Sequence, residues 1–270
     1  MNPPKKSFFS VVVCSIDALK FAQVSACYEQ LLADVAHEII GIHDARSLAE
    51  GYNRALRRAR GDIVVFSHDD ILILDPDFAR KIGHRLQNFD ILGFAGTRWV
   101  IAESWWCAGF PWLFGAIAHT FGKTFSLNIW DPEPWPVVDG IQGLDGLCII
   151  ARREVAEEIG FDEVAFDGFH LYDLDFSFSA WRAGKKLGVC CDIPVIHASM
   201  GGYGKEHARY GRLFIDKHKD ALPSNPTKAD RITGIAAHLS NYRALRTAWR
   251  EETFRRGWIA FQRRKNGHTA

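Results

Sequence analysis

Asp69 and Asp70 stand side by side just beyond Ile63-Val64-Val65-Phe66, a run of four continuously apolar, mostly β-branched or aromatic residues, with Ser67 and His68 between. Such a run reads as a strand covered on both faces. Acid placed where a buried strand stops lies where an open α/β sheet binds its ligands. Adjacent carboxylates repel unless a counter-charge is near. A hard divalent cation that also meets substrate phosphates supplies one, so the pair suggests a metal-diphosphate site. Helix capping or plain surface acid is the other reading of the same residues. Two further acids, Asp173 and Asp175, fall in the first turn of a helix that the pattern from His170 to Gly184 predicts. A carboxylate there either complements the macrodipole or takes a proton in catalysis. His197, after an apolar run from Leu187 to Ile196, is a metal ligand or a structural histidine.

These side chains can meet only if alternating strands and helices carry them to one edge. Phe8 to Ile16 reads as a buried strand, and Phe21 to Ala36 as a helix with an apolar face of Phe21, Val24, Leu31 and Val35. Glu38 to Ile42 is a second strand, and Ser47 opens a helix that runs to Arg60 and is closed by Gly61. A βαβαβ unit of this kind favours a parallel sheet with right-handed crossovers. It sets the loops carrying Asp17, Asp44 and Asp69 at the carboxyl edge. A helix from Phe78 to Asn88 and a strand from Ile91 to Phe94 follow. Residues 99–136 hold Trp99, Trp105, Trp106, Trp112, Trp130 and Trp135 among several Gly and Pro, which predicts a long irregular segment of the sort that often carries function. Its rings either stack on sugar faces or form a satellite core. Gly143 to Ile150 restores a strand that holds Asp145, and Arg153 to Ile159 is a short helix closed by Gly160.

From Pro223 onward the chain becomes helical and arginine-rich, with Tyr242, Leu245 and Trp249 among Arg243, Arg246 and Arg250. A basic amphipathic helix lies on anionic lipid, or packs on the preceding domain with a solvated basic face. The 270 residues suffice for one α/β domain with extensions, and a net charge of +1 argues against nucleic acid as a partner. The six cysteines form no C-x-x-C pair and mostly sit in apolar runs, which predicts buried thiols and a reducing compartment. Neither a signal-peptide pattern nor a membrane-spanning run is evident, so the expectation is a cytoplasmic protein, soluble or peripheral at the inner face of the membrane through its tail.

Taken in order, these segments resemble the family-two type nucleotide-sugar glycosyltransferases, in particular the branch with a His-Asp-Asp strand end. The resemblance spans residues 8–204. It rests on Ser10-Val11-Val12-Val13-Cys14-Ser15, Gly51-Tyr52-Asn53-Arg54-Ala55, Phe66-Ser67-His68-Asp69-Asp70, Leu144-Asp145-Gly146, Tyr172-Asp173-Leu174-Asp175 with its Arg-Ala-Gly ending, and His197. It implies an α/β, GT-A (Rossmann-like) fold with a mixed, mostly parallel sheet and flanking helices. Residues 1–220 would form the catalytic domain and 221–270 a basic helical extension.

By the same resemblance Asp69 takes the place of the metal-binding second acid of the family's Asp-x-Asp motif, with Asp70 and His197 as further ligands of Mn²⁺ or Mg²⁺. An imidazole suits Mn²⁺ better than an all-oxygen Mg²⁺ shell does. Ser67 stands where the first acid would be. Asp173 sits where the family places its general base, although the usual Glu-Asp is here Tyr172-Asp173. Ser15 and Asp44 border the nucleoside pocket, Asn53 packs beside it, and Asp145 meets the donor sugar. Asp175 and Trp106 are the acceptor-side candidates. One carboxylate base, with no acid needed on the leaving group, implies inversion at the anomeric carbon. The implied activity moves a sugar from a nucleotide sugar, most often UDP-linked in this family, to a saccharide or glycoconjugate in cell-surface polysaccharide synthesis. Nucleotidyl transfer on a related fold lacks its Gly-rich phosphate loop here. The departures at Ser67 and Tyr172 keep open a nucleotide- or glycan-binding protein that retained the fold and lost turnover.

Overall fold

The computed structural model describes residues 7–130, 135–199, 204–224, 226–227 and 235–265. β1 (Phe9–Cys14), α1 (Ala18–Leu31), β2 (His37–Ile42), α2 (Leu48–Leu56) and β3 (Ile63–Ser67) alternate as the sequence predicts. β1 runs parallel to both β2 and β3, and all five residues of β3 are buried. The first helix starts earlier than its apolar face suggests, because Asp17 caps it by accepting from the amides of Leu19 and Lys20. Ser47 caps α2 through the Glu50 amide at 3.0 Å. At Gly61 a Cβ would lie 2.6 Å from the carbonyl oxygen of Phe8, so the approach of the two backbones demands glycine.

A turn after β3 leads to β4 (Ile71–Ile73), α3 (Phe78–Arg85), β5 (Ile91–Gly93) and β6 (Ala95–Thr97). The described residues between 99 and 130 are more regular than expected. After a short 3-10 helix at Trp105–Ala108, β7 (Leu113–Phe121) and β8 (Thr124–Ile129) pair as an antiparallel hairpin. Its strands are hard to read from sequence because Gly115, Ala116 and Ala118 interrupt the large buried residues Leu113, Phe114 and Ile117, and because Gly115 and Gly122 take φ values of 130° and 61°. β9 (Val137–Ile141), β10 (Gly143–Leu144) and β11 (Cys148–Arg152) follow, so the expected strand from Gly143 to Ile150 is divided, with Asp145 and Gly146 in the turn. Next come α4 (Arg153–Ile159), α5 (Tyr172–Arg182), β12 (Leu187–Cys190), β13 (Val195–His197), α6 (Lys205–His218), β14 (Ile235–Leu239) and α7 (Tyr242–Lys265).

The strands form two mixed sheets. The first runs β2-β1-β3-β11-β5-β12-β9, with β1–β2, β1–β3 and β5–β12 parallel and the other pairs antiparallel. The second runs β10-β6-β7-β13-β4, with β8 on β7 and β14 on β8. The expected single strand from Leu187 to Ile196 therefore breaks at Cys191 and serves both sheets. Beneath the end of β3, Phe66 packs at 5.1 Å on Tyr52 and 5.0 Å on Phe161, and Tyr52 lies 5.7 Å from Tyr172, which ties β3, α2 and the start of α5 together.

Among the described residues of the tail, the strand β14 precedes the helix α7. On α7, Leu245 and Trp249 are buried against Ala116, Ala118, Leu127, Ile129 and Ile196, while Arg243, Arg246 and Arg250 are exposed. Among the described residues no helix is long and apolar enough to cross a membrane. All six cysteines are free thiols, and burial pushes Cys14 and Cys148 up to about 12, which leaves them unreactive.

Candidate active site

The site begins at the end of β3, where alternate residues face opposite ways. Ser67 faces the core and is fully buried, donating to the carbonyl of His68 at 2.8 Å and accepting from the Tyr28 hydroxyl at 3.0 Å. His68 emerges on the other side. The chain then turns, and the two acids part. Asp69 Oδ2 accepts from the Ser15 hydroxyl at 2.6 Å, beside the end of β1. Asp70 is drawn toward β13, because Ile71 pairs with His197 and the Ala198 amide donates to the Asp70 carbonyl at 2.9 Å.

Three donor atoms meet there. His197 Nε2 lies 3.2 Å from Asp70 Oδ1 and 3.4 Å from His68 Nδ1, and His68 Nδ1 lies 4.0 Å from Asp70 Oδ1. Ligands about 2.1 Å from one ion and cis to each other stand roughly 3.0–3.4 Å apart, so His68, Asp70 and His197 can hold a divalent cation with little rearrangement. Burial works to raise the Asp70 carboxyl, but its contact with His197, helped by Ser199 and His68, holds it well below the ordinary carboxylate range. His68 is pushed down by burial and by its neighbour His197. A third imidazole, His119 on β7, stands in register with His197 at 5.7 Å between rings. Sequence reasoning missed both extra histidines. In the sequence His68 stands out only as the neighbour of the two acids, and His119 lies in a hairpin whose composition predicts an irregular segment.

The opposite wall is the turn between β10 and β11 together with the start of α5. Asp145 accepts from Trp105 Nε1 at 2.8 Å through one oxygen and from the Leu147 amide at 2.9 Å through the other. Asp173 is mostly buried, and burial together with the charge of Asp145 pushes its carboxyl up to about 7. Gly146 is held between them: a Cβ there would strike the Tyr172 hydroxyl and lie 2.8 Å from Asp173 Oδ2. The two walls touch where the Tyr172 hydroxyl meets His68 Nε2 at 2.8 Å. Thus Ser15 joins Asp69, Asp70 joins His197, Asp145 neighbours Asp173, and the pair His68–Tyr172 bridges the groups.

Other residues named from sequence lie elsewhere. Asp44 reaches the same carboxyl edge but is exposed and ion-paired with Arg54 at 2.8 Å. Asn53 packs, bonding the backbone of Phe161 in both directions at 2.8 and 3.0 Å. Trp106 is partly buried against the core, and the indole that touches Asp145 belongs to Trp105. Asp175 is 2% exposed and bonds His218 Nε2 at 2.8 Å and Lys217 Nζ at 2.9 Å, tying α6 to α5. Asp175→Ala leaves the buried His218 Nε2 without its partner and is expected to destabilise the fold by about 3 kcal/mol in urea unfolding. Transfer activity per folded molecule should stay near wild type; a stable variant with a raised acceptor KM would return Asp175 to the acceptor site.

A family model described as a glycosyltransferase-like family matches residues 10–217. No curated protein sequence matches significantly. Among solved structures, the mannosyltransferase PcManGT from Pyrobaculum calidifontis, in complex with GDP-Man and Mn²⁺, is similar at a TM-score of 0.51 and 16% identity, over 84% of this chain and 67% of that one. GalNAc-T7 with UDP, GalNAc and Mn²⁺ gives a TM-score of 0.49 at 10% identity, over 80% of this chain and 50% of that one. S. aureus TarS 1-349 in complex with UDP-GlcNAc gives 0.45 at 12% identity, over 80% and 74% respectively. At 16% identity the likeness to the mannosyltransferase is one of fold alone.

Proposed function

This chain belongs to the glycosyltransferase-like family, and on that premise we propose that it moves a sugar from a nucleotide-sugar donor to a hydroxyl acceptor, with inversion, using a divalent metal at His68, Asp70 and His197. The observation that carries the reading is the approach of a two-imidazole, one-carboxylate cluster to a carboxyl titrating near neutrality, bridged by the 2.8 Å contact of His68 with Tyr172.

In this reading Asp173 accepts the proton of the acceptor hydroxyl as that oxygen bonds the anomeric carbon. The bond from that carbon to the diphosphate oxygen breaks, and its electron pair leaves with the nucleoside diphosphate. A base with a pKa of about 7 suits this step at neutral pH. A bound divalent metal offsets the charge that develops on the diphosphate. Two imidazoles and a carboxylate favour Mn²⁺ or a similar first-row ion over Mg²⁺. Asp145, oriented by Trp105, accepts from hydroxyls of the donor sugar. Asp69, oriented by Ser15, and Asp44 serve the nucleotide side, and Asp69 stands close enough in sequence to Asp70 to join the metal shell if the turn relaxes.

The donor nucleotide follows from the resemblance as UDP, and the similar mannosyltransferase binds GDP-Man, so both belong in any screen. Polysaccharide synthesis rests on the resemblance as well, and a cytoplasmic location on the free, mostly buried thiols. A peripheral contact with an anionic membrane would form on the exposed arginines of α7, and vesicle sedimentation at low salt reads it. A binding protein without turnover is the second reading. It is weakened because the Tyr172 hydroxyl contacts the His68 imidazole, which gives that departure a use in the site.

The test is incubation of UDP- and GDP-sugars with and without Mn²⁺ and a sugar acceptor series, reading nucleoside diphosphate release and product configuration by NMR. Metal-dependent release with an inverted anomeric centre is the expected result. Binding without release across the panel would favour the second reading, and retention would overturn the inverting assignment.

A further inference from the structure

Tyr172 is 4% exposed, and its ring is fixed between Tyr52 at 5.7 Å and Phe161 at 6.2 Å. Its hydroxyl lies 2.8 Å from His68 Nε2 and 3.3 Å from the carbonyl oxygen of Gly146. A carbonyl only accepts, so when the phenolic proton goes to Gly146 the phenolic oxygen is left to accept from His68 Nε2–H. That order leaves the lone pair of His68 on Nδ1, the atom that faces His197 Nε2 at 3.4 Å and Asp70 Oδ1 at 4.0 Å. The reverse order, with the phenol donating to Nε2, would put a proton on Nδ1 and close that position to a cation.

We infer that Tyr172 is a positioning residue that holds His68 in the metal-binding tautomer and ties that imidazole to the Gly146 turn beside Asp173. The backbone supports a built arrangement. Leu171, immediately before Tyr172, has φ 63°, and it is the one non-glycine residue with positive φ among the described residues. A bulky side chain adopts that conformation only where the surroundings impose it. Here the strained residue aims the first turn of α5, so that Tyr172 meets His68 while Asp173 meets Gly146. A metal-ligating histidine takes its tautomer from the partner of its other nitrogen, and loss of such a partner typically weakens metal binding about 10- to 100-fold.

The inference rests on the metal reading above, and its test separates the two. Tyr172→Phe keeps the ring and removes the hydroxyl. Titrated with MnCl₂ alone, wild type should bind, and the variant should bind with a dissociation constant about 10- to 100-fold higher. The metal-free melting temperatures should agree within a few degrees. Long-range ¹H–¹⁵N spectra of metal-free wild type should show His68 protonated at Nε2, which checks the tautomer without any variant. Wild-type Mn²⁺ affinity in Tyr172→Phe, or a proton on Nδ1 in the wild-type spectrum, overturns the role of Tyr172 and leaves the metal reading standing. Failure of wild type to bind Mn²⁺ overturns both.

Discussion

Asp173→Asn is expected to lower sugar transfer by about 10²- to 10⁴-fold while leaving nucleotide binding unchanged, since it removes the proton acceptor without changing its shape. The pH profile gives the sharper result. Because the active form is the carboxylate and the group titrates near 7, wild-type kcat/KM should rise as pH increases through about 7 and then level. That limb should vanish from whatever activity the variant retains. The same group has a consequence for stability of opposite sense. Its folded pKa is raised from 3.8 to about 7, so between those values the folded chain holds a proton that the unfolded chain releases, and stability falls as pH rises across that window. Asp173→Asn removes this penalty. The variant should therefore melt higher than wild type at pH 8, by an amount worth at most about 4 kcal/mol, and differ little at pH 4. An acid that merely held the helix start would make its loss destabilising, so a lower melting temperature at pH 8 would count against the base.

Asp70→Asn is expected to weaken Mn²⁺ binding by at least about 100-fold, beyond what loss of an outer hydrogen-bond partner produces, because it removes the carboxylate from the three-donor cluster. Transfer should fall with it and recover in part at high Mn²⁺. Asp69→Asn is the informative companion. With its carboxylate turned to Ser15, its loss should raise the donor KM more than it weakens the metal. Isothermal titration with Mn²⁺ in the absence of nucleotide reads both variants. Should Asp69→Asn abolish binding while Asp70→Asn retains it, the metal set implied by the family motif would replace the one argued from geometry.

Periodicity made the β1 to β3 unit and its carboxyl edge legible, because buried parallel strands leave continuous apolar runs and their helices carry caps. Short strands that change sheet leave no such mark. The apolar run from Leu187 to Ile196 looks continuous, yet it divides between two sheets, and His197 owes its place to register with Ile71 and His119. Asp69 and Asp70 were recognisable as site residues from their position alone. Which one turns to the histidines depends on a turn that side-chain alternation cannot encode. Asp173 and Asp175 are equal in pattern, but two positions apart on a helix they face away from each other. One lies beside Asp145 and the other in the packing of α6, so burial and partners separate them where sequence does not. Ser67 and Tyr172 looked like losses from a motif. The Tyr172 hydroxyl meets the His68 imidazole from far along the chain and becomes visible only in three dimensions, whereas Ser67 faces the core and bonds the backbone of its neighbour His68 and the Tyr28 hydroxyl.

The central claim is that one divalent ion is held by two imidazoles and one carboxylate facing the donor diphosphate. Anomalous diffraction at the manganese edge, from crystals grown with UDP or GDP and MnCl₂, tests it most directly. One peak is expected within bonding distance of His68 Nδ1, an Asp70 oxygen and His197 Nε2, with diphosphate oxygens completing the shell. Nucleotide bound with its metal away from these three side chains, or with no metal at all, would contradict it.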